Sequence, residues 1–193
     1  APRLSKVEKN WSPFVHGGEL YMSYSLQPHV VLRCSWRGGS CTLAHNTSNH
    51  LLATYQALEQ ELRGGTPYAH LPGRGFLAAA HVKDASHSPP LYASIFYLVD
   101  EQPPFRVRHL SPKLCISEQL NEISISATCA LQYVTGLVVD EASNLALVSY
   151  GEMDCKMHVA ALPLDKLLAL TQTHSLHDES LASSECVDWA FNS

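Results

Sequence analysis

The same local grammar recurs three times along these 193 residues, and an internal repeat constrains a fold more tightly than any single motif. Each unit opens with a short lead strand that contains or adjoins Pro or Gly. It then turns, continues into a strand ending in polar or aromatic residues, and adds two strands with alternating apolar positions. The first unit runs Trp11 to Val15, a Gly17-Gly18 turn, Glu19 to Ser25, Val30 to Cys34 and Cys41 to Ala44. The second runs Thr66 to His70, a turn at Pro72-Gly73, Gly75 to Val82, Leu91 to Val99 and Phe105 to Leu110. The third runs Leu131 to Val139, a turn through Asp140 to Asn144, Leu145 to Gly151, Lys156 to Leu162 and a closing segment Leu164 to Leu170 that reads as strand or helix.

Four short antiparallel strands make one blade of a β-propeller, and the equivalent strands at Leu20, Phe76 and Leu145 recur about 55 to 70 residues apart, near propeller periods once loops are allowed for. The expectation is an all-β chain: residues 1–193 as a single incomplete propeller domain, with four-stranded antiparallel blades near 9–45, 63–111 and 130–170 and a tail at 171–193. A β-sandwich is the competing all-β reading, and the threefold recurrence favours blades. One segment departs from strand grammar. From His50 to Leu62 the apolar residues Leu51, Leu52, Tyr55, Leu58 and Leu62 follow a helical spacing, which predicts a short helix between the first and second blades. Three blades do not close a propeller, so missing blades or a partner chain are expected to cover the open ends.

No stretch approaches the roughly 18 apolar residues of a membrane span. With a net charge of -5 and no basic run, nucleic acid and anionic lipid are poor partners. Ala1-Pro2-Arg3-Leu4 lacks a signal peptide's apolar region, but without an initiator Met the compartment stays open. It would be secretory if the Asn46-Thr47-Ser48 sequon and a Cys34–Cys41 disulfide are used, and cytoplasmic otherwise. Cys34 and Cys41 flank a turn-like stretch and can face each other across a hairpin. The other four cysteines read as buried thiols, and none of the six has zinc-site spacing, so no metal is expected.

Three segments in order carry a family resemblance: Glu8-Lys9-Asn10-Trp11-Ser12-Pro13-Phe14; Arg63-Gly64-Gly65-Thr66-Pro67 with Phe76 to His81; and Thr135 to Val139 with Val148-Ser149-Tyr150-Gly151-Glu152-Met153-Asp154. Over roughly Lys9 to Leu170 the chain resembles the five-bladed propeller glycosidases of the β-mannoside phosphorylase type, corresponding to their three C-terminal blades. The resemblance implies a glycan partner of β-mannoside type, no cofactor, and inorganic phosphate as co-substrate. It makes Lys9, Asn10, Trp11, Arg63, His81, Tyr150 and Asp154 substrate-binding residues. Lys9, Arg63 and His81 would hold an anion or sugar hydroxyls, and Asp154 would accept hydrogen bonds from the sugar. The family's catalytic acid belongs to a blade before the Lys-Asn segment, and no Asp-Pro-Arg-like motif follows in this chain, so no catalytic residue is assigned.

Each residue also has an ordinary reading. Lys9 and Arg63 suit solvated surface charges, His81 a rim or core histidine, Asp154 a turn cap, and Trp11 packing between blades. Two functions remain from the sequence: part of a glycoside phosphorylase- or hydrolase-like protein, inactive in this chain alone, or a non-catalytic glycan-binding or protein-interaction module.

Overall fold

The computed structural model describes residues 9–50, 52–53, 60–86, 88, 90–117, 122–125, 131–172 and 174–175. These form three antiparallel sheets and one short helix.

The first sheet is a four-stranded meander in sequence order, built from β1 (Ser12–His16), β2 (Glu19–Leu26), β3 (His29–Cys34) and β4 (Cys41–Thr47). Alternation sets its faces. Phe14 pairs with Tyr21, and both bury their rings on one side, while Val15, paired with Leu20, stays half exposed on the other. The Cys34–Cys41 disulfide joins two residues directly paired across β3 and β4. Cys115 is also disulfide-bonded and Cys155 is a free, exposed thiol, so two of the four expected buried thiols are not that; Cys129 and Cys186 lie outside the described residues.

The second sheet has eight strands rather than four. Its centre is β7 (Gly75–Asp84) against β8 (Leu91–Val99), in register from Phe76 with Val99 to Asp84 with Leu91. One edge of β7 carries a split partner. β5 (Gln60–Gly64) pairs with its C-terminal half and β6 (Ala69–Leu71) with its N-terminal end. The far edge of β8 is likewise shared by β9 (Val107–Leu110) and β10 (Leu114–Ser117), which β15 (His174–Ser175) and β11 (Glu122–Ile125) extend. At the crossing from β9 to β10, Ser111 donates its N–H to the Phe96 carbonyl and accepts the Phe96 N–H on Oγ. That exchange keeps the β8 edge satisfied where the ladder changes partner.

The third sheet has three strands, β12 (Gln132–Asp140), β13 (Leu145–Glu152) and β14 (Lys156–Pro163). In place of a fourth, α1 (Leu164–Gln172) follows directly. Leu164, Leu167, Leu168 and Thr171 fall on its buried stripe, the period-3.6 signature that separates helix from strand here. Pro163 stands just before its first turn, and Asn144 and Asp165 exchange two hydrogen bonds, Asn144 Nδ2 to Asp165 Oδ1 and Asp165 N to Asn144 Oδ1. The helix expected over 50–62 is also revised. A helical turn starts at His50, with Asn49 Oδ1 accepting the Leu52 N–H and Asn49 O the Ala53 N–H, residues 51 and 54–59 lie outside the described set, and Gln60–Gly64 is strand.

The run Phe76-Leu77-Ala78-Ala79-Ala80 is continuously apolar because both faces of the middle sheet are covered. Phe76, Ala78, Ala80 and Val82, with Ile95, Tyr97 and Val99, pack toward Phe14, Tyr21 and Val31 of the first sheet. Leu77 and Ala79, with Phe96 and Leu98, pack toward Val134, Leu137, Val148 and Leu162 of the third sheet and toward Leu164 and Leu167 of the helix. Each fully buried large side chain contributes about 1.5–3 kcal/mol, so these two layers hold the three sheets face to face. The outer faces of the first and third sheets leave Val15, Leu43, Val138 and Val159 exposed. Among the described residues no helix is long and apolar enough to cross a membrane.

Candidate functional site

The lead strands of the three sheets converge because of two glycines. A Cβ on Gly64 would stand 2.4 Å from the Asn10 carbonyl oxygen, and one on Gly65 would stand 2.7 Å from that of Val134. A side chain at either position is excluded by backbone, which gives Arg63-Gly64-Gly65-Thr66-Pro67 a physical reason for its composition. Thr66 then spans the gap between β5 and β6, donating its N–H to Ala79 O and accepting the Ala79 N–H on Oγ1. Tyr68 N donates to Pro13 O, fixing the middle sheet's lead segment against the first sheet.

Convergence leaves a polar rim at one end of the interface between the second and third sheets. Arg63, His81 and Ser94 are direct register partners across β5, β7 and β8, so they share a face. His81 is the next same-face position after Leu77 and Ala79, where the apolar row gives way to polar residues. Its ring, 5% exposed, meets Tyr133 edge-on with centroids 5.3 Å apart and lies 6.1 Å from Tyr92. The Tyr92 and Tyr133 rings are themselves 4.7 Å apart. Burial, the hydrogen bond with Tyr92 and the neighbouring charge of Asp154 raise the Tyr133 hydroxyl above its ordinary range, so it stays a protonated donor. Asp154 sits in the turn after β13 with φ of 54°, beside Met153 at 53°, and Met153 N donates to Leu131 O just before β12. Left-handed backbone is tolerated by Asp and costs more at Met, so this hydrogen bond helps hold the loop that carries Asp154.

The seven residues expected from sequence are therefore distributed unevenly. Arg63 and His81 adjoin one another, His81 meets Tyr133 edge-on, and Asp154 acts on Tyr133 through its charge. Asn10, with φ of 63°, sits where Gly64 passes. Lys9 is exposed ahead of it, and Trp11, 37% exposed, packs its ring against Tyr24 at 5.4 Å on the first sheet. Tyr150 is placed differently, 3% exposed within the core between the second and third sheets and stacked on His158 at 5.1 Å. Tyr92, Tyr133 and Ser94 were not anticipated. The available signal was register, since Ser94 and Tyr92 stand two and four positions before Phe96 on the same face of β8, and Tyr133 stands just before Val134 on β12. Among the described residues no three His, Cys, Asp or Glu side chains gather as a metal site.

The rim offers a carboxylate acceptor, a protonated phenol, an imidazole and a guanidinium around aromatic faces, the set that orients a polyhydroxylated ligand. No family model matches the chain. Over 72 residues, 36% of its length, the chain is 33% identical to beta-mannosyltransferase 2 of Komagataella phaffii, and the matched stretch makes up 11% of that protein in strain CBS 7435 and 10% in strain GS115.

Proposed function

We propose that the three sheets are successive blades of an incomplete β-propeller and that the chain is part of a protein handling β-mannoside-type glycans, with the rim at His81, Tyr133 and Asp154 as its sugar-contacting surface. The observation that carries this reading is the convergence of the three lead strands at Gly64 and Gly65, which gathers side chains from two sheets around one end of their interface. The partial similarity to a protein named as a β-mannosyltransferase supports mannosyl transfer as the chemistry of the whole protein, ahead of hydrolysis or phosphorolysis. In this reading Asp154 accepts from sugar hydroxyls, Tyr133 donates, and Arg63 and His81 lie beside them for a hydroxyl or for the charged group of a donor. Lys9, Asn10 and Trp11 extend the surface onto the first sheet.

Calorimetry with β-linked manno-oligosaccharides tests it. Binding is expected, weakened at least tenfold by Asp154→Ala and by Tyr133→Phe in folded protein. A panel of such oligosaccharides that shows no heat of binding, or variants that bind as the parent does, would overturn the reading. Turnover by the chain itself would exclude the non-catalytic glycan-binding alternative.

A further inference from the structure

The opposite end of the first sheet carries a second polar and aromatic surface feature. An open depression of about 490 Å³ is lined by Glu19, Arg33, Ser35, Trp36, Arg37 and Thr42, among others. It lies on the β3–β4 loop beside the Gly17-Gly18 turn, whereas Asn10 and Trp11 adjoin the start of β1. Trp36 is 64% exposed, an unusual placement for a side chain that gains so much from burial. Its orientation is nevertheless constrained, since its indole Nε1–H donates to Gly18 O at 3.4 Å. The loop beneath it is pinned by the Cys34–Cys41 disulfide, by Ser35 N donating to Ser40 O, and by Ser35 Oγ accepting the Gly38 N–H at 3.1 Å. Such a surface loses little freedom on binding.

Charge at this spot runs against that of the chain. The whole sequence has a net charge of -5, yet Arg33 and Arg37 enter the depression with one carboxylate, Glu19. Guanidinium groups match planar or tetrahedral oxyanions. An exposed indole offers a flat apolar face to the C–H side of a pyranose, and Glu19, Ser40 and Thr42 supply partners for hydroxyls.

We infer that this depression is a binding site for an acidic saccharide, one sugar ring stacked on Trp36 with its phosphate or carboxylate held by Arg33 and Arg37. The site stands on its own residues and does not depend on the rim at His81.

The test is a fluorescence and calorimetric titration of the whole chain with mannose 6-phosphate and glucuronate, with mannose and inorganic phosphate as controls. Both acidic sugars, or at least one of them, should bind at least tenfold more tightly than either control, and this preference should shrink as salt is raised. Trp36→Ala should cost at least tenfold in affinity, and the Arg33→Gln/Arg37→Gln pair should erase the preference for the charged sugar. Asp154→Ala should leave binding here unchanged, which separates failure of this site from failure of the rim. The exposed positions of Trp36 and Arg37 make both changes compatible with folding, to be checked by the thermal transition. Mannose or inorganic phosphate bound as tightly as both acidic sugars, or unaltered binding by folded Trp36→Ala, would each overturn the proposal.

Discussion

The two interfaces that hold the middle sheet are built from different materials. Between the first and second sheets the core is aromatic. Phe105 lies within about 5 Å of Phe14 and Tyr21, centroid to centroid, with Phe76 slightly farther. A buried polar cluster sits within it, His29 Nε2 standing 3.1 Å from Ser23 Oγ and 3.3 Å from Tyr68 Oη, with Tyr97 Oη donating on to Tyr68. Between the second and third sheets the core is mainly aliphatic, Leu71, Leu77, Leu98, Val134, Val148 and Leu162 closed over by α1, with the buried Gln132 side chain accepting from Ile116 N and donating to Ile116 O across it. Aromatic rings and buried hydrogen bonds demand geometry, whereas aliphatic chains tolerate repacking. The first interface therefore specifies alignment and the second supplies burial.

Truncation at matched depth gives the largest test of that contrast. Phe105→Ala removes a ring that touches both sheets of the first interface and is expected to cost about 4 kcal/mol in urea unfolding, against about 3 kcal/mol for Leu162→Ala in the second. The sharper outcome is in the conservative swaps: Leu162→Met should cost under about 1.5 kcal/mol and Phe105→Leu distinctly more. Equal costs for the two swaps would remove the distinction.

Acid should act on the first interface first. Burial, reinforced by the charge of His45 and opposed by a backbone hydrogen bond with Phe105, lowers His29 to about 4. A histidine depressed in the folded state binds its proton preferentially when unfolded, so stability is complete above pH 6.5 and is lost as pH falls from about 6.5 to about 4, with nothing further lost below. The expected loss is roughly 3 kcal/mol over that window. His45 and His109, also lowered by burial, push the same way. Urea midpoints measured across this range for the parent and for His29→Gln check it. The variant starts less stable and should show the flatter profile, and parallel profiles would place the acid sensitivity elsewhere.

The next effect concerns the edge that flanks the aromatic interface. Reducing Cys34–Cys41, which closes a loop with a sequence separation of 7, should cost roughly 2 kcal/mol, seen as a lower thermal midpoint with reductant. The Cys34→Ser/Cys41→Ser variant should lower the midpoint by a similar amount without reductant and lose that part of the reductant response. A reductant response surviving in that variant would assign the effect to Cys115, the other disulfide-bonded cysteine among the described residues.

Legibility in the sequence followed the same division. The first sheet was readable strand by strand because turn residues such as Gly17-Gly18 and Gln27-Pro28 set off its short hairpins, Phe14, Tyr21 and Val31 marking one face despite register shifts at Ser23/Ser25 and Val31/Leu32. In the second sheet the strand over Gly75 to Val82 was readable as strand, though not as one covered on both faces, and Gly64 and Gly65 interrupt its lead strand for reasons that lie in Asn10 and Val134, far away in sequence. The four-residue strands at Leu114 and Glu122 are too short to carry a period. In the third unit Leu164, Leu167 and Leu168 held a helical signal that the repeat argument pulled toward strand. At the rim, Arg63, His81 and Asp154 could be named from resemblance, but Tyr92 and Tyr133 required the register between sheets. Tyr150, equally polar in a list of residues, belongs to the core because it shares a face with Ala146 and Val148.

The smallest effect probes the rim of the aliphatic interface, where the buried His81 gives way to the exposed Asp154. Tyr133 is raised by burial, then by Tyr92 and by the charge of Asp154. Removing that charge with Asp154→Asn leaves the first two causes in place, so the hydroxyl should ionise at a lower pH than in the parent while remaining above an ordinary tyrosine. Stability should change by no more than about 0.5 kcal/mol, since Asp154 is exposed. Alkaline titration of ¹³C-labelled tyrosine signals, with Tyr133→Phe to assign the resonance, reads the shift directly. An unmoved titration would detach the carboxylate from the rim. A large loss of stability would show that Asp154, like the buried Gln132, is part of the packing of the second interface.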